Sequence, residues 1–270
     1  MAVAGSLSIL VDLDGVVWRA EEPIAGAAAA LARLVGAGHR VAYFTNNSFP
    51  TVADNLAKLG EMGVTTTRER LLNSAQAAAR LGAAGERALV VGGGGIVEAL
   101  EERGLSAVTC DGPGASAGFD LVVVGIDPAF DYGRLARAMA AVGAGARLVG
   151  TNSDATYPTP SGEVPGGGSI LAAVAAASRR APVVAGKPNE SAAELVRDRL
   201  GQVDLMIGDR LSTDGAFARR LGAGFGLVLS GVTPADHPPI DPAPALEAED
   251  LAHLADELLD KRSEPRRSPR

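Results

Sequence analysis

Several things are scarce in this chain, and each scarcity excludes something. Among 270 residues there is one cysteine, Cys110. It cannot form an internal disulfide, and such usage fits a reducing cytoplasm. No histidine is near it in sequence, so Cys110 reads as a small apolar residue rather than a nucleophile. Aromatic residues make up 4% of the chain against 47% apolar residues overall, which requires an aliphatic core. Basic residues are not in excess: 25 Lys and Arg face 32 Asp and Glu, for a net charge of -7. This balance argues against nucleic acid or an anionic membrane as the partner. Long apolar runs are also missing, because Arg and Glu interrupt the alanine-rich segments, so no membrane span is expected. No basic region precedes the first apolar run, as a signal peptide would require. The expectation is a cytoplasmic globular protein.

What is present is an alternation. Short β-branched runs at 7–11, 40–44, 88–91, 121–124, 147–149, 183–185, 205–207 and 226–229 read as strands. Amphipathic Ala/Leu-rich stretches at 26–36, 51–62, 132–142, 190–200 and 213–221 read as helices. Strand–helix alternation predicts an α/β protein, and near-continuous apolar strands predict a doubly wound parallel sheet covered on both faces. Two loops, 111–118 and 157–168, are rich in Gly and Pro. The basic, Pro-rich tail 263–270 reads as a disordered end. At 270 residues, one large domain or two linked ones are expected.

The polar residues that follow the strands carry the chemistry. Asp12 and Asp14 follow the first strand in ILVDLDGVVW, residues 9–18. Thr45, Asn46 and Asn47 follow the second in YFTNNS. Lys187 follows another in VVAGKP, and Asp209 follows another in MIGDRLSTD, with Asp214 five residues on. Ligands of doubly wound sheets bind beyond the carboxyl ends of the strands, so these groups are expected on one edge of one sheet. Each alone has an ordinary explanation. An Asp at a strand end is commonly an Asx-turn or a helix cap, Thr-Asn-Asn a turn, and a lysine before proline a solvated loop residue. Asp214 could simply favour the positive end of a helix beginning near Ser212. Three acids, a hydroxyl and a lysine, each at a strand end and in this order, are hard to explain as structure alone.

Two or three carboxylates on one spot repel, and a hard divalent cation relieves the repulsion. Oxygen ligands without His or Cys point to Mg2+, which favours phosphate oxygens. Lys187 adds a point charge suited to a phosphoryl group, and Thr45 adds a donor. One carboxylate can then attack phosphorus, while a second protonates the leaving oxygen and later activates water.

The motifs DLDGVVW, TNNS, GKP and GDRLSTD together resemble the signature of the haloacid dehalogenase (HAD) superfamily of phosphatases. TNNS, GTNSDATYP, GKP and GDRLSTD resemble its NagD-like, para-nitrophenyl phosphatase branch, over about residues 7–233. The resemblance implies a Rossmann-like catalytic core at 1–73 and 181–270, with an inserted α/β cap at 74–180. It implies Asp12 as nucleophile and Asp14 as general acid/base. Mg2+ would be held by the Asp12 carboxylate, the Asp14 carbonyl and Asp209. Thr45, Asn46 and Lys187 would bind phosphate, and Asp214 would orient Lys187 or a metal-bound water. Asn47, with Asn152 and Asp154 in the cap loop TNSDATYPT, are the candidate substrate contacts; a plain surface loop is the competing reading. The expected activity is hydrolysis of a small phosphorylated metabolite, such as a polyol or sugar phosphate, through an aspartyl phosphate. Relatives of this kind often pair, so a homodimer is compatible with the resemblance.

One departure bears on substrate. Some family members carry a basic residue after TNNS; here Phe49-Pro50 follow, which disfavours strongly acidic substrates. A phosphotransferase or phosphomutase would use the same residues. A receiver-type phospho-acceptor is disfavoured, since it places its nucleophile and acid pair on different strands and is about half this length. A dehalogenase needs no acid at Asp14. Other motifs mislead. The run VVGGGGIVEAL, 90–100, lies between a strand and a helix but lacks the G-x-G-x-x-G spacing of a dinucleotide loop. GPGASA, 112–117, has a matching spacing but precedes a strand. Trp18 reads as a packed aromatic, with the site entrance as the alternative. His39, His237 and His253 are far in sequence from the motifs and read as surface groups.

Overall fold

The computed structural model describes residues 5–114, 118–159, 162–240 and 243–263. The tail expected to be disordered lies, from residue 264 on, outside the described residues. The strands are β1 Ser8–Val11, β2 Trp18–Arg19, β3 Glu22–Pro23, β4 Arg40–Thr45, β5 Leu71–Asn73, β6 Arg87–Val91, β7 Ser106–Thr109, β8 Leu121–Val124, β9 Arg147–Gly150, β10 Thr156–Thr159, β11 Gly162–Pro165, β12 Val183–Val184, β13 Leu205–Gly208, β14 Gly224–Val228 and β15 Leu246–Ala248. The helices are α1 Ala27–Gly36, α2 Val52–Glu61, α3 Ser74–Ala79, α4 Gly94–Glu102, α5 Tyr132–Gly143, α6 Gly167–Ser178, α7 Glu190–Leu200, α8 Ala216–Leu221 and α9 Leu251–Ser263. Among the described residues no helix is long and apolar enough to cross a membrane.

The chain divides into two units. The first comprises Met1–Phe44, Lys58–Arg70 and Leu200–Arg270. The strands of its parallel sheet lie in the order β15-β14-β13-β1-β4, while β2 and β3 form a separate antiparallel pair. Strands β1 and β13 are buried end to end, as is the second half of β14, with Leu10, Val11, Met206, Ile207, Leu227 and Val228 fully enclosed. These runs are continuous rather than alternating because both faces of the sheet are covered. Phe44 and Phe217 meet at 5.5 Å between ring centres, and α1 packs against α9. In chain order the strands would be numbered 5-4-3-1-2 across this sheet. Winding reverses between β1 and β13, which is where α/β sheets open a binding crevice.

The second unit comprises Thr45–Ala57 and Leu71–Arg199. Its parallel sheet has the order β12-β9-β8-β6-β7, again 5-4-3-1-2 by chain position. Its core is aliphatic, built on Leu89, Val122, Val124, Val142, Leu148, Leu171 and Val174. Cys110 lies within this core, as its isolation in sequence suggested. Burial pushes its thiol up to about 11, with Arg137 and Arg134 pulling the other way, so it stays protonated near neutrality. The antiparallel hairpin β10–β11 carries part of the second Gly/Pro-rich stretch.

Three expectations require correction. His39, read as a surface group, is 3% exposed, and its Nδ1 accepts the Leu7 N–H at 3.0 Å. The 183–185 run does not extend the sheet that holds β1, β4 and β13; Val183–Val184 pairs in parallel with β9. Lys187 therefore leaves a strand of the other sheet, and the site groups do not all issue from one sheet edge. A two-residue apolar strand carries no information about its partner, which tertiary packing alone selects. The helix expected at 213–221 is split into a π-helical turn, Leu211–Gly215, followed by α8. The turn is shaped by Asp214, as the site geometry makes clear.

Candidate active site

In the first unit the register levels the strand ends: Val11 pairs with both Ile207 and Tyr43. Asp12 is the next residue, and its N–H donates to the Ile207 carbonyl at 2.9 Å. Its carboxylate accepts the Leu13 N–H at 2.8 Å. Asp209 follows the end of β13 and accepts the Val232 N–H at 2.7 Å, while Thr233 Oγ1 donates to the Asp209 carbonyl at 2.5 Å. Asp214 is brought back by the π-helical turn, where its carboxylate accepts the Arg210 N–H at 3.1 Å. The turn closes on Gly208, where any Cβ would meet the Cβ of Asp214 at 2.3 Å. Glycine in GDRLSTD thus makes room for the second acid.

Asp12, Asp209 and Asp214 are buried and present carboxylate oxygens within 4.8 Å of one another. At an effective dielectric of about 20, each such pair repels by at least ~3 kcal/mol when ionised. The donors are all oxygen, the set that suits a small hard divalent cation. Asp14 is half-buried and outside this group of three; it accepts the indole N–H of Trp18 at 3.0 Å. Two glycines enclose Asp209: Gly15 of the DLDGVVW motif and Gly231, which no motif contains. A Cβ on Gly231 would lie 1.8 Å from Asp209 Oδ2, and one on Gly15, at φ +79°, would lie 2.5 Å from it. Gly231 follows β14 in a loop with no recognisable pattern, so only the fold exposes its role.

The second unit holds a different constellation. Asn46 clamps the backbone of Lys187 from both sides. Its Oδ1 accepts the Lys187 N–H at 2.9 Å, and its Nδ2 donates to the Lys187 carbonyl at 3.2 Å and to Asp154 Oδ2 at 3.1 Å. Both N–H groups of the side chain are thereby engaged. The carbonyl of Asn46 accepts from Asn152 Nδ2 at 2.8 Å and from Ser74 Oγ at 2.6 Å. Asn152 Oδ1 also caps the Asp154 N–H at 3.0 Å. Gly186 admits the clamp, since a Cβ there would meet Asn46 Oδ1 at 2.6 Å. Lys187 itself is buried. Thr45 Oγ1 accepts the Asn47 N–H at 3.0 Å, and Asn47 approaches the Tyr157 hydroxyl at 3.5 Å. Thus Thr45, Asn46, Asn47, Asn152, Asp154 and Lys187 gather in one unit, and Asp12, Asp14, Asp209 and Asp214 in the other.

The glycine run 92–95 also finds its use here. The Gly95 N–H donates to the Phe49 carbonyl at 3.0 Å, and a Cβ on Gly93 would strike that carbonyl at 2.4 Å. The run is a socket for the backbone that follows Asn46 and Asn47, occupying the start of α4 where a dinucleotide loop would place phosphate. A Cβ on Gly95 would stand 2.2 Å from the Pro50 carbonyl oxygen and 2.7 Å from that of Ser48, neither of which can rotate aside. Gly94 is open by comparison, its nearest contact being Thr51 at 3.6 Å. Gly95→Ala is expected to cost about 2 kcal/mol or more through overpacking, whereas Gly94→Ala gains up to about 1 kcal/mol in helix propensity. Paired thermal melts check this, and equal melting temperatures for the two variants would contradict it.

Comparison with known proteins converges with the geometry. A family model described as haloacid dehalogenase-like hydrolase matches residues 9–106, and a second, HAD-hydrolase-like, matches residues 184–254. The chain is 35% identical over 254 residues to glycerol-3-phosphate phosphatase of Gallus gallus, covering 84% of this chain and 80% of that protein. It is 36% identical over 237 residues to D-glycerol 3-phosphate phosphatase of Mycobacterium tuberculosis, covering 84% of this chain but 64% of that longer protein. The crystal structure of the glycerol phosphate phosphatase of M. tuberculosis in complex with magnesium matches with a TM-score of 0.81 at 33% identity, over 93% of this chain and 77% of that one. The chain belongs to the haloacid dehalogenase-like hydrolases. Within them it falls in the branch whose members named here are phosphatases.

Proposed function

We propose that this protein is a magnesium-dependent phosphomonoesterase that hydrolyses a small soluble phosphate ester, a polyol phosphate first among them, through an aspartyl phosphate on Asp12. The observation that carries this reading is the trio of buried carboxylates from Asp12, Asp209 and Asp214 at the switch point of a parallel sheet. When bound, Mg2+ would neutralise these acids and the phosphoryl oxygens, held by Asp12, Asp209 and the Asp14 carbonyl, with Asp214 in support. Asp12 attacks phosphorus as the P–O ester bond breaks. Asp14 gives its proton to the leaving oxygen and then takes one from the attacking water, which releases inorganic phosphate and restores Asp12. Lys187 and Thr45 serve as the phosphate-binding groups, and Asn46 joins them chiefly by fixing Lys187. The polyol preference rests on the two relatives named for glycerol phosphate and on Phe49-Pro50, which offer no cation to an acidic substrate. Residues 74–180 act as the cap, and Asn47, Asn152 and Asp154 bear on which ester is accepted.

A phosphate-release screen over metabolite phosphates, run in parallel with Mg2+, Ca2+ and EDTA, tests the reading. Metal-free protein is expected to be inactive, Mg2+ to restore turnover, and Ca2+ to bind with little turnover because its larger, looser shell misplaces the nucleophile. Full activity after verified metal removal would rule this mechanism out, and transfer of phosphate to added alcohols in place of water would make the protein a phosphotransferase.

A further inference from the structure

We infer that Trp18 is a positioning residue for Asp14: its indole N–H holds Oδ1 and so fixes the orientation from which the carboxyl group transfers its proton. The inference deepens the proposed function and rests on the role of Asp14 in it.

The sequence suggests a packed aromatic at position 18, with the site entrance as the alternative, and the side chain is 3% exposed. Yet its one polar atom is not turned to solvent or to backbone. Indole Nε1 donates to Asp14 Oδ1 at 3.0 Å. The loop between the two residues is built to make that meeting. The Gly15 N–H donates to the Trp18 carbonyl at 2.7 Å, and the Val17 N–H to the Leu13 carbonyl at 2.8 Å. Asp14 and Trp18 form an isolated β-bridge across this turn, and Gly15 supplies the left-handed backbone, φ +79°, that it needs.

The other side of the ring is also organised. The ammonium of Lys58 sits 4.7 Å from the ring centre, and it is tethered by the Ala20 carbonyl at 2.8 Å and Glu21 at 3.3 Å. A cation over the ring face both anchors the indole and draws electron density from it, which strengthens the N–H as a donor. A half-buried carboxylate has free rotation about its last bond unless something stops it. A donor on Oδ1 restricts that rotation, and so sets the direction in which the carboxyl group passes its proton to the ester oxygen and collects one from water in the second half. Trp18 keeps its own proton throughout.

The test exploits the fact that this chain has one tryptophan. A uniformly 15N-labelled sample gives a single indole N–H resonance, and it belongs to Trp18. Asp14→Asn replaces the charged acceptor with a neutral amide, so that resonance is expected to move clearly upfield. An unmoved resonance would show that the bond does not exist in solution and would overturn the inference with no change made at position 18.

The kinetic arm uses Trp18→Phe, which keeps a ring beneath Lys58 and removes the N–H. Phosphorylation of Asp12 by an alkyl phosphate, whose leaving group needs a proton, is expected to slow about tenfold as read by acid quench, part of the roughly 10²–10⁴-fold that a positioned acid supplies. Phosphorylation of Asp12 by para-nitrophenyl phosphate, whose leaving group departs unaided, should stay within about threefold. In the Asp14→Asn background the same substitution should leave the ratio of the two phosphorylation rates unchanged. An equal fall on both substrates would reduce Trp18 to a packing residue. Should Asp14→Asn slow phosphorylation of Asp12 by the two substrates alike, the acid/base reading of Asp14 falls, and this inference with it.

Discussion

Asp12→Asn is expected to yield no phosphoenzyme and no measurable turnover on any phosphate ester, a loss of at least about 10⁴-fold. The amide is not a nucleophile toward phosphorus, and one carboxylate is lost from the buried trio with Asp209 and Asp214. The fold should survive, since the backbone bond from Asp12 to Ile207 and the Leu13 cap on an amide oxygen are both retained. Asp14→Asn should behave differently. Its carbonyl is unchanged and Asp12 can still attack, but neither leaving group nor water receives help. An alkyl phosphate should stall at the first step. Para-nitrophenyl phosphate should phosphorylate Asp12 and wait there. Acid quench followed by mass spectrometry reads this directly, as a phosphate mass on the peptide holding Asp12 with the aryl substrate and little with the alkyl one. Continued turnover by Asp12→Asn alongside a wholly inert Asp14→Asn would reverse the two roles.

The second large effect is expected at a glycine. Gly231→Ala would set a Cβ 1.8 Å from Asp209 Oδ2 and 2.4 Å from Asp209 Cβ. Swinging the carboxylate away does not cure the second contact, and it gives up the 2.7 Å bond from the Val232 N–H. A lost hydrogen bond to a charged group costs about 1.5–3 kcal/mol, and overpacking adds about 1–3 kcal/mol. The variant should therefore melt well below the parent. Because Asp209 is displaced, the Mg2+ concentration for half-activation should rise more than about tenfold, the effect of ~1.4 kcal/mol in binding. Gly143→Ala is the matched control, as nothing lies within 4 Å of its added Cβ and it ends a helix. Magnesium titration and melting curves on the pair decide the matter. Unchanged magnesium dependence in a destabilised Gly231→Ala would mean that Asp209 does not hold the metal.

Much of the molecule is legible in the sequence for a local reason. Strands β1, β6, β8 and β13 are runs of Leu, Ile and Val ended by a turn residue, and such runs need both sheet faces covered wherever they pair. Helices α1, α5 and α7 announce themselves by an apolar stripe. Asp12, Thr45 and Asp209 stand at strand ends, and the parallel register carries Asp12 and Asp209 to the same edge without further information. Cys110 in an aliphatic context was bound for a core. Short elements were less legible. The strands β5, β12 and β15 and the hairpins β2–β3 and β10–β11 are two to four residues long, too short to show a period.

The tertiary structure alone decided the rest, because those features are contacts between segments distant in sequence. No spacing rule says that Val183–Val184 would join β9 and not β1. The glycine run 92–95 looks like a ligand loop in sequence and becomes a socket for residues 48–50 only when α4 is placed. Asn46 reads as a phosphate ligand next to Thr45, and its clamp on Lys187 spans 141 residues of chain. Gly231 matters because Asp209 is folded against it, and Trp18 because the turn over residues 14–18 points its one donor at Asp14. Composition and periodicity determine which segments must be buried and where chain polarity places their ends. The partners of each polar side chain follow from packing, in which a single added Cβ or one short strand is enough to decide.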